Sequence, residues 1–324
     1  MSKKMSPAAR IAAGIGLAIG GAALTTAAVY TELMTTVIAR RRTPATDALI
    51  AVGTGAEPAP LDPTVAEMTE ALKNTPTELV ELRSRDNYVL RAHWYPAEGA
   101  KRTVILVHGW HSRWCVDFSA SSPFLHENAC NLLLIDQRCH GESGGDLISY
   151  GINERYDVLT WLDWLDANHG GLPVYLCGIS MGAATVLMAG GEELPPNVVG
   201  ILADCGYTSA KAIMYEVIRK MGLPPKPSYP FVKLGARIFG HFDLEETSPL
   251  EAVRRCKLPV IFFHGEADDF VPCYMSQENF EACASRKHLV TIPGAGHGLA
   301  YAVEPDRYVE ELYDFFGPEC SYQK

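Results

Sequence analysis

Residues 174–190 read VYLCGISMGAATVLMAG, and the order of residue types in that stretch decides how the rest of the chain is read. Leu172–Cys177 is a short apolar run, the pattern of a strand covered on both faces. Gly178-Ile179-Ser180-Met181-Gly182 follows at once, and Met181–Gly190 has the composition of a helix. A serine between strand and helix, with glycines two places before and after, matches the turn that lifts a nucleophilic hydroxyl above the C-terminal edge of a sheet. The glycines are needed because such a serine takes a strained backbone and the flanking chain passes close by. The Met181 N–H would then stand at a helix N-terminus, where it can stabilise a developing oxyanion.

A serine hydroxyl is a weak nucleophile and needs a base. Of the ten histidines, His297 stands in Gly294-Ala295-Gly296-His297-Gly298, just after the last strand-like run. The flanking glycines keep its ring accessible at the same sheet edge. The acid that orients this histidine is expected after a strand lying between the two. Phe262–Pro272 supplies Asp268, and Asp204, which ends the run Val198–Ala203, is a second candidate. The order Ser, Asp, His then completes a triad of the kind that accompanies such a strand-to-helix serine turn. A second oxyanion donor is expected from the Trp110 backbone N–H, which follows the strand Thr103–Val107, with Gly109 allowing the close approach. His108 reads as a structural hydrogen-bonding residue.

Around these residues the chain alternates strand-like and helix-like stretches. Glu78–Arg83 and Tyr88–Tyr95 suggest a hairpin, and apolar runs follow at Thr103–Val107, Asn131–Ile135, Val174–Cys177, Val198–Ala203, Val260–Phe263 and Leu289–Ile292. In Ile152–Ala167, Val158, Trp161, Leu162 and Leu165 fall on one helical face. This alternation predicts an α/β fold with a mostly parallel, doubly wound sheet. Residues 207–249 break the pattern: they contain no clear strand, carry Pro224, Pro225, Pro227 and Pro230 with Tyr215, Tyr229, Phe231, Phe239 and Phe242, and read as a small helical lid.

The N-terminus reads differently. Residues 11–30, IAAGIGLAIGGAALTTAAVY, carry no charge and are flanked by Lys3, Lys4 and Arg10 before and Arg40, Arg41 and Arg42 after. Twenty apolar residues can cross a bilayer core of about 30 Å, so residues 1–42 are expected to form a single-pass anchor to the cell membrane. A cleaved signal peptide and a helix docked on the protein are the alternatives. Residues 43–77 read as a proline-rich linker and a short helix that Thr64 would cap, and residues 78–320 as the folded domain.

The chain has 324 residues, a net charge of −10 and no long basic run, which argues against a nucleic-acid partner. Nine cysteines occur without a C-x-x-C pair, so zinc-ligand spacing is absent and they read as buried reduced thiols. No metal or organic cofactor is implied.

Taken in order, His108-Gly109-Trp110, the stretch Asp136–Gly145 (DQRCHGESGG), GISMG, HGEADDFVP and GAGHG resemble the α/β-hydrolase superfamily over residues 78–316. Within it the chain is similar to bacterial hydrolases of the serine aminopeptidase S33-like or monoacylglycerol-lipase-like kind, including some with an N-terminal hydrophobic segment. The resemblance implies a catalytic triad of Ser180, Asp268 and His297, and it implies that His140 and Ser143 belong to a structural turn. The function expected is cleavage of an acyl ester in a small or lipid-like substrate through an acyl-enzyme. An S33-type peptidase or amidase, with Glu245 and Glu246 holding a substrate amine, and a non-catalytic binding protein are the alternatives.

Overall fold

A computed structural model describes residues 24–41, 43, 44, 46 and 62–317. One eight-stranded sheet organises them, in the order β1-β2-β4-β3-β5-β6-β7-β8. The strands are β1 Glu78–Arg83, β2 Val89–Tyr95, β3 Arg102–Val107, β4 Cys130–Asp136, β5 Val174–Ile179, β6 Val198–Asp204, β7 Val260–Gly265 and β8 Lys287–Ile292. β2 runs antiparallel to both of its neighbours, and every other pairing is parallel. β3, β4 and β7 are buried at every position, as continuous apolar runs require when helices cover both faces of a sheet.

Successive side chains of a strand point to opposite faces, and the core divides accordingly. Ile105, Leu133, Leu176 and Ile201 join one cluster with Val158, Trp161, Leu162 and Leu165 of the helix Glu154–His169. Val104, Leu132, Cys177 and Leu202 join another with Tyr308 and Leu312 of the helix Pro305–Phe316. The helical face expected from Val158, Trp161, Leu162 and Leu165 is thus the one that covers the sheet. The helix Pro63–Lys73 is capped by Asp62 rather than Thr64: the Asp62 carboxylate accepts the Thr64 N–H at 2.9 Å and Pro63 opens the first turn.

Between β6 and β7 stand the helices Ala210–Lys220 and Pro225–Phe239. Their buried side chains, among them Met214, Ile218 and Val232, form a third cluster, and Met34, Ile38 and Ala39 of residues 24–39 share it. That N-terminal stretch is helical. Its Met34 and Ile38 are buried at 1% and 0% exposure. The Tyr30 hydroxyl meets the Ser228 hydroxyl at 2.9 Å, and the Tyr30 ring meets Phe231 edge to face. The Ile38 carbonyl accepts the Tyr150 hydroxyl at 2.7 Å, and Arg41 donates to the Ser143 carbonyl at 2.7 Å.

These contacts correct the expectation of a single-pass membrane anchor. Among the described residues no helix is long and apolar enough to cross a membrane. Within residues 24–39, Met34, Ile38 and Ala39 pack into the protein, Leu24 and Val29 stay exposed, and a half-exposed Glu32–Arg40 ion pair lies on the same helix. Residues 11–23, the rest of the expected span, lie outside the described residues.

If residues 24–39 belong to the core, Ile38→Ala should lower the unfolding free energy by about 2–5 kcal/mol. Leu24→Ala, at a site 74% exposed, should leave it unchanged. Urea denaturation followed by circular dichroism measures both, and equal midpoints for the two variants would detach this helix from the domain.

Candidate active site

β5 ends at Ile179, and the helix Met181–Ala189 starts two residues later, so Ser180 alone makes the turn. Its backbone sits at φ 57° and ψ −116°, a region that L-residues rarely occupy. Two glycines permit it. A Cβ at Gly178 would lie 2.2 Å from the Gly182 carbonyl oxygen, and one at Gly182 would lie 1.8 Å from the Val107 carbonyl oxygen. The Ser180 N–H is anchored to the Asp204 carbonyl at 2.8 Å, which ties the turn to the end of β6.

Parallel strands bring the loops that follow them to the same edge of the sheet. His297, after β8, therefore meets Ser180 although 117 positions separate them; its Nε2 is 2.9 Å from the Ser180 Oγ. The other ring nitrogen, Nδ1, is 2.7 Å from Oδ2 of Asp268, which follows β7. An ionised carboxylate can only accept, so Nδ1 carries the proton and Nε2 is free to accept from the serine hydroxyl.

The Asp268 side chain is fully buried, and all its acceptor sites face donors. Oδ1 accepts the N–H groups of Phe270 and Val271 at 2.9 and 2.8 Å. Oδ2 also lies 3.3 Å from Nε2 of the buried His264. Burial opposes the charge on Asp268, but the hydrogen bonds from His264, His297 and Val271 and the charge of His297 outweigh it and hold the carboxyl well below the usual range.

Asp204 has a different environment. It is 2% exposed, and its Oδ2 accepts the Tyr308 hydroxyl at 3.1 Å. Its Oδ1 is buried without a hydrogen-bond partner. Burial pushes this carboxyl up to about 6 against the lowering pull of His264, Tyr308 and His297. Of the two carboxylates singled out in the sequence, Asp268 is the one hydrogen-bonded to His297.

The remaining residues sort by their contacts. Trp110 stacks on Phe270 in the loop after β3, and Met181 opens its helix, where its N–H has no intrahelical acceptor. His108 is fully buried, with Nδ1 2.7 Å from the Gly109 carbonyl and Nε2 accepting the Gln137 N–H at 3.1 Å. His140 accepts the His111 N–H at 2.9 Å, and Ser143 donates to the Asp136 carbonyl at 2.6 Å, so both bind neighbouring main chain. Among the described residues, Cys205, Asp268 and His297 are the one group that brings three metal-capable atoms together, and two of them already hold one another.

Ser180 opens on a cavity of about 440 Å³. Its walls come from the loop after β3, from Val104, Cys177, Leu202 and Asp204 of the sheet, and from the C-terminal helices with Tyr308, Leu312 and Phe316. Every lining residue lies outside 207–249. Glu245 is held by Lys211 and Lys233, and Glu246 pairs with Arg155 at 2.7 Å.

Two residues at the site carried no role in the sequence reading. His264, in the quoted HGEADDFVP stretch, donates to the Val271 carbonyl at 2.8 Å and accepts from the Ser276 hydroxyl at 2.6 Å, which fixes its ring beside Asp268. Asp117 accepts the Gly109 N–H at 2.6 Å and shapes the loop that carries Trp110. His264 had a signal, its fixed spacing of four to Asp268. Asp117 had none, because its partner lies eight residues away across an irregular loop.

A family profile described as the alpha/beta hydrolase family matches residues 104–311. The protein YqkD of Bacillus subtilis is 26% identical over 231 residues, covering 70% of this chain and 75% of that protein. The bifunctional esterase/perhydrolase DCH of Acinetobacter calcoaceticus is 23% identical over 252 residues, 64% of this chain and 88% of that protein. The Pyrococcus furiosus esterase Pf2001 superposes with a TM-score of 0.62 at 24% identity, over 80% of this chain and 95% of that one, a likeness of fold.

The turn generates its own test. Gly182→Ala drives a methyl group into the Val107 main chain, so it should cost at least about 1–3 kcal/mol of stability and displace Ser180. A denaturation midpoint and a fluorophosphonate labelling rate equal to those of the native protein would contradict the close approach.

Proposed function

We propose that this chain, which belongs to the alpha/beta hydrolase family, hydrolyses acyl esters with Ser180 as nucleophile, His297 as general base and Asp268 as the acid that orients the base. The observation that carries this reading is the unbroken hydrogen-bonded line from Asp268 through His297 to Ser180, with links of 2.7 and 2.9 Å, at the mouth of a largely apolar cavity.

The chemistry follows from the donor pattern. As the Ser180 oxygen bonds to the ester carbonyl carbon, its proton passes to Nε2 of His297. The carbonyl electron pair moves onto oxygen, where the N–H groups of Trp110 and Met181 are the proposed donors. Asp268, kept ionised by its hydrogen bonds, stabilises the imidazolium. The imidazolium proton leaves with the alcohol as the C–O bond breaks and the acyl-enzyme forms. Water then repeats the sequence and releases the acid. The apolar wall of Val104, Cys177, Leu202 and Leu312 favours an acyl chain.

The peptidase alternative is less well supported at this site. It called on Glu245 and Glu246 to hold a substrate amine, and both are engaged by Lys or Arg at positions that do not line the cavity. The esterases DCH and Pf2001 among the similar proteins agree with an ester substrate.

Ser180→Ala should abolish fluorophosphonate labelling and lower kcat on p-nitrophenyl esters by about 10⁴ to 10⁶, with native circular dichroism. Full-rate labelling of a folded Ser180→Ala protein would remove Ser180 from the mechanism. Asp268→Asn keeps the shape but spoils the histidine tautomer, and should cost about 10⁴ in kcat.

Acyl length offers a further check. Each CH₂ buried is worth about 0.8 kcal/mol, close to fourfold in kcat/KM. The rate should therefore climb from acetate upward until the cavity is full. A flat or falling series would exclude the cavity as the acyl site.

A further inference from the structure

We propose that the Asp204 carboxyl is a specificity subsite within the acyl cavity, binding a hydroxyl or ammonium group carried on the substrate's acyl chain. This rests on the reading of Ser180 as the nucleophile at that cavity. Three observations carry it. Asp204 lines the cavity that Ser180 also lines. Its side chain is buried at 2% exposure among apolar groups, with Cys177 and Leu202 of the neighbouring strand positions in the same wall. Its two oxygens are used unequally: Oδ2 accepts the Tyr308 hydroxyl at 3.1 Å, whereas Oδ1 is buried with no partner.

A buried acceptor without a donor is costly, and native interiors avoid it. The Tyr308 hydroxyl fixes the orientation of the carboxyl, and Tyr308 is itself held by stacking on Phe263 at 3.8 Å. Oδ1 is thus an orphaned acceptor at an otherwise apolar wall. A plain alkyl chain laid along that wall leaves Oδ1 unpaired, while a chain with a hydroxyl or amine at the matching depth completes it. Sites that pair a buried polar group with the substrate discriminate strongly against analogues lacking the partner. The Asp204 main chain also receives the Ser180 N–H, so the subsite and the nucleophile are rigidly connected. With its carboxyl pushed up to about 6 by burial, Asp204 is ionised in most molecules above neutrality and accepts from either donor.

The test compares p-nitrophenyl hexanoate with its 6-hydroxy and 6-amino derivatives, and butanoate with its 3-hydroxy and 3-amino derivatives. The proteins are the native form, Asp204→Asn and Asp204→Leu. Native protein should prefer at least one substituted ester over its plain parent by about tenfold or more in kcat/KM. Asp204→Leu should lose that preference. Asp204→Asn leaves its one carbonyl oxygen with the Tyr308 hydroxyl and presents an NH2 at the Oδ1 position. It should therefore lose an ammonium preference while a hydroxyl, which can also accept, keeps its preference, which separates the two groups. Should Asp204→Leu fail to fold, the Asp204→Asn comparison stands alone. Calorimetric binding of 6-hydroxyhexanoate, 6-aminohexanoate and hexanoate reads the subsite without turnover. Absence of fluorophosphonate labelling in the native protein would sink the assignment of Ser180 and leave this binding measurement decisive for Asp204. Substituted-to-plain ratios and affinities that are the same in native and variant proteins, at both chain lengths, would overturn the proposal.

Discussion

At Ser180 the main chain is forced to φ 57° and ψ −116°, a conformation that costs about 1–3 kcal/mol for a residue with a side chain. The surrounding structure holds it there. The Ser180 N–H bonds to the Asp204 carbonyl, its own carbonyl accepts the Ala184 N–H at 3.0 Å, and Gly178 and Gly182 let β5, β3 and the following helix close in around it. β5 lies between β3 and β6 near the middle of the sheet, with β3 buried throughout and β6 buried at all but one position. A strained turn at a frayed edge would relax; one clamped between central parallel strands cannot. His297 and Asp268 reach it because β7 and β8 end at the same edge.

Two buried carboxylates within the site show how environment divides chemistry between identical side chains. Asp268 has four donors around two oxygens and stays ionised. Asp204, on the next strand, has one donor and is pushed toward its neutral form. Burial raises both, more completely at Asp204, while at Asp268 the hydrogen bonds and the charge of His297 outweigh it. This is why the carboxylate joined to His297 suits the support of a transient imidazolium, while its neighbour is left with an acceptor to offer.

The insertion between β6 and β7 does not line the cavity. It packs against the N-terminal helix and the loop at Tyr150, in a cluster apart from the one that forms the acyl wall. Arg41 extends that packing to the turn at Gly141 and Ser143. The N-terminal helix, the insertion and the Asp136–Gly145 turn therefore brace one another. The space beside Ser180 is shaped by the loop after β3 and by the C-terminal helices.

Local pattern was enough for the sheet and for the turn. Consecutive apolar residues mark strands covered on both faces, helical spacing marks Val158, Trp161, Leu162 and Leu165, and the glycines around Ser180 mark the one place where strand becomes helix without a loop. Those signals lie within a few residues of one another, so a sequence displays them directly. The relations across long chain distances belonged to the tertiary structure. Local pattern left Asp204 beside Asp268 as a candidate and only the family resemblance favoured Asp268; the tertiary structure is what brings the Asp268 carboxylate to 2.7 Å from His297. It placed Asp117 under the Gly109 amide. It also decided where the N-terminal helix packs: Met34, Ile38 and Ala39, which lie beyond the uncharged run 11–30, join Tyr229, Val232 and Ala236 in one cluster, while Leu24 and Val29 within that run stay exposed.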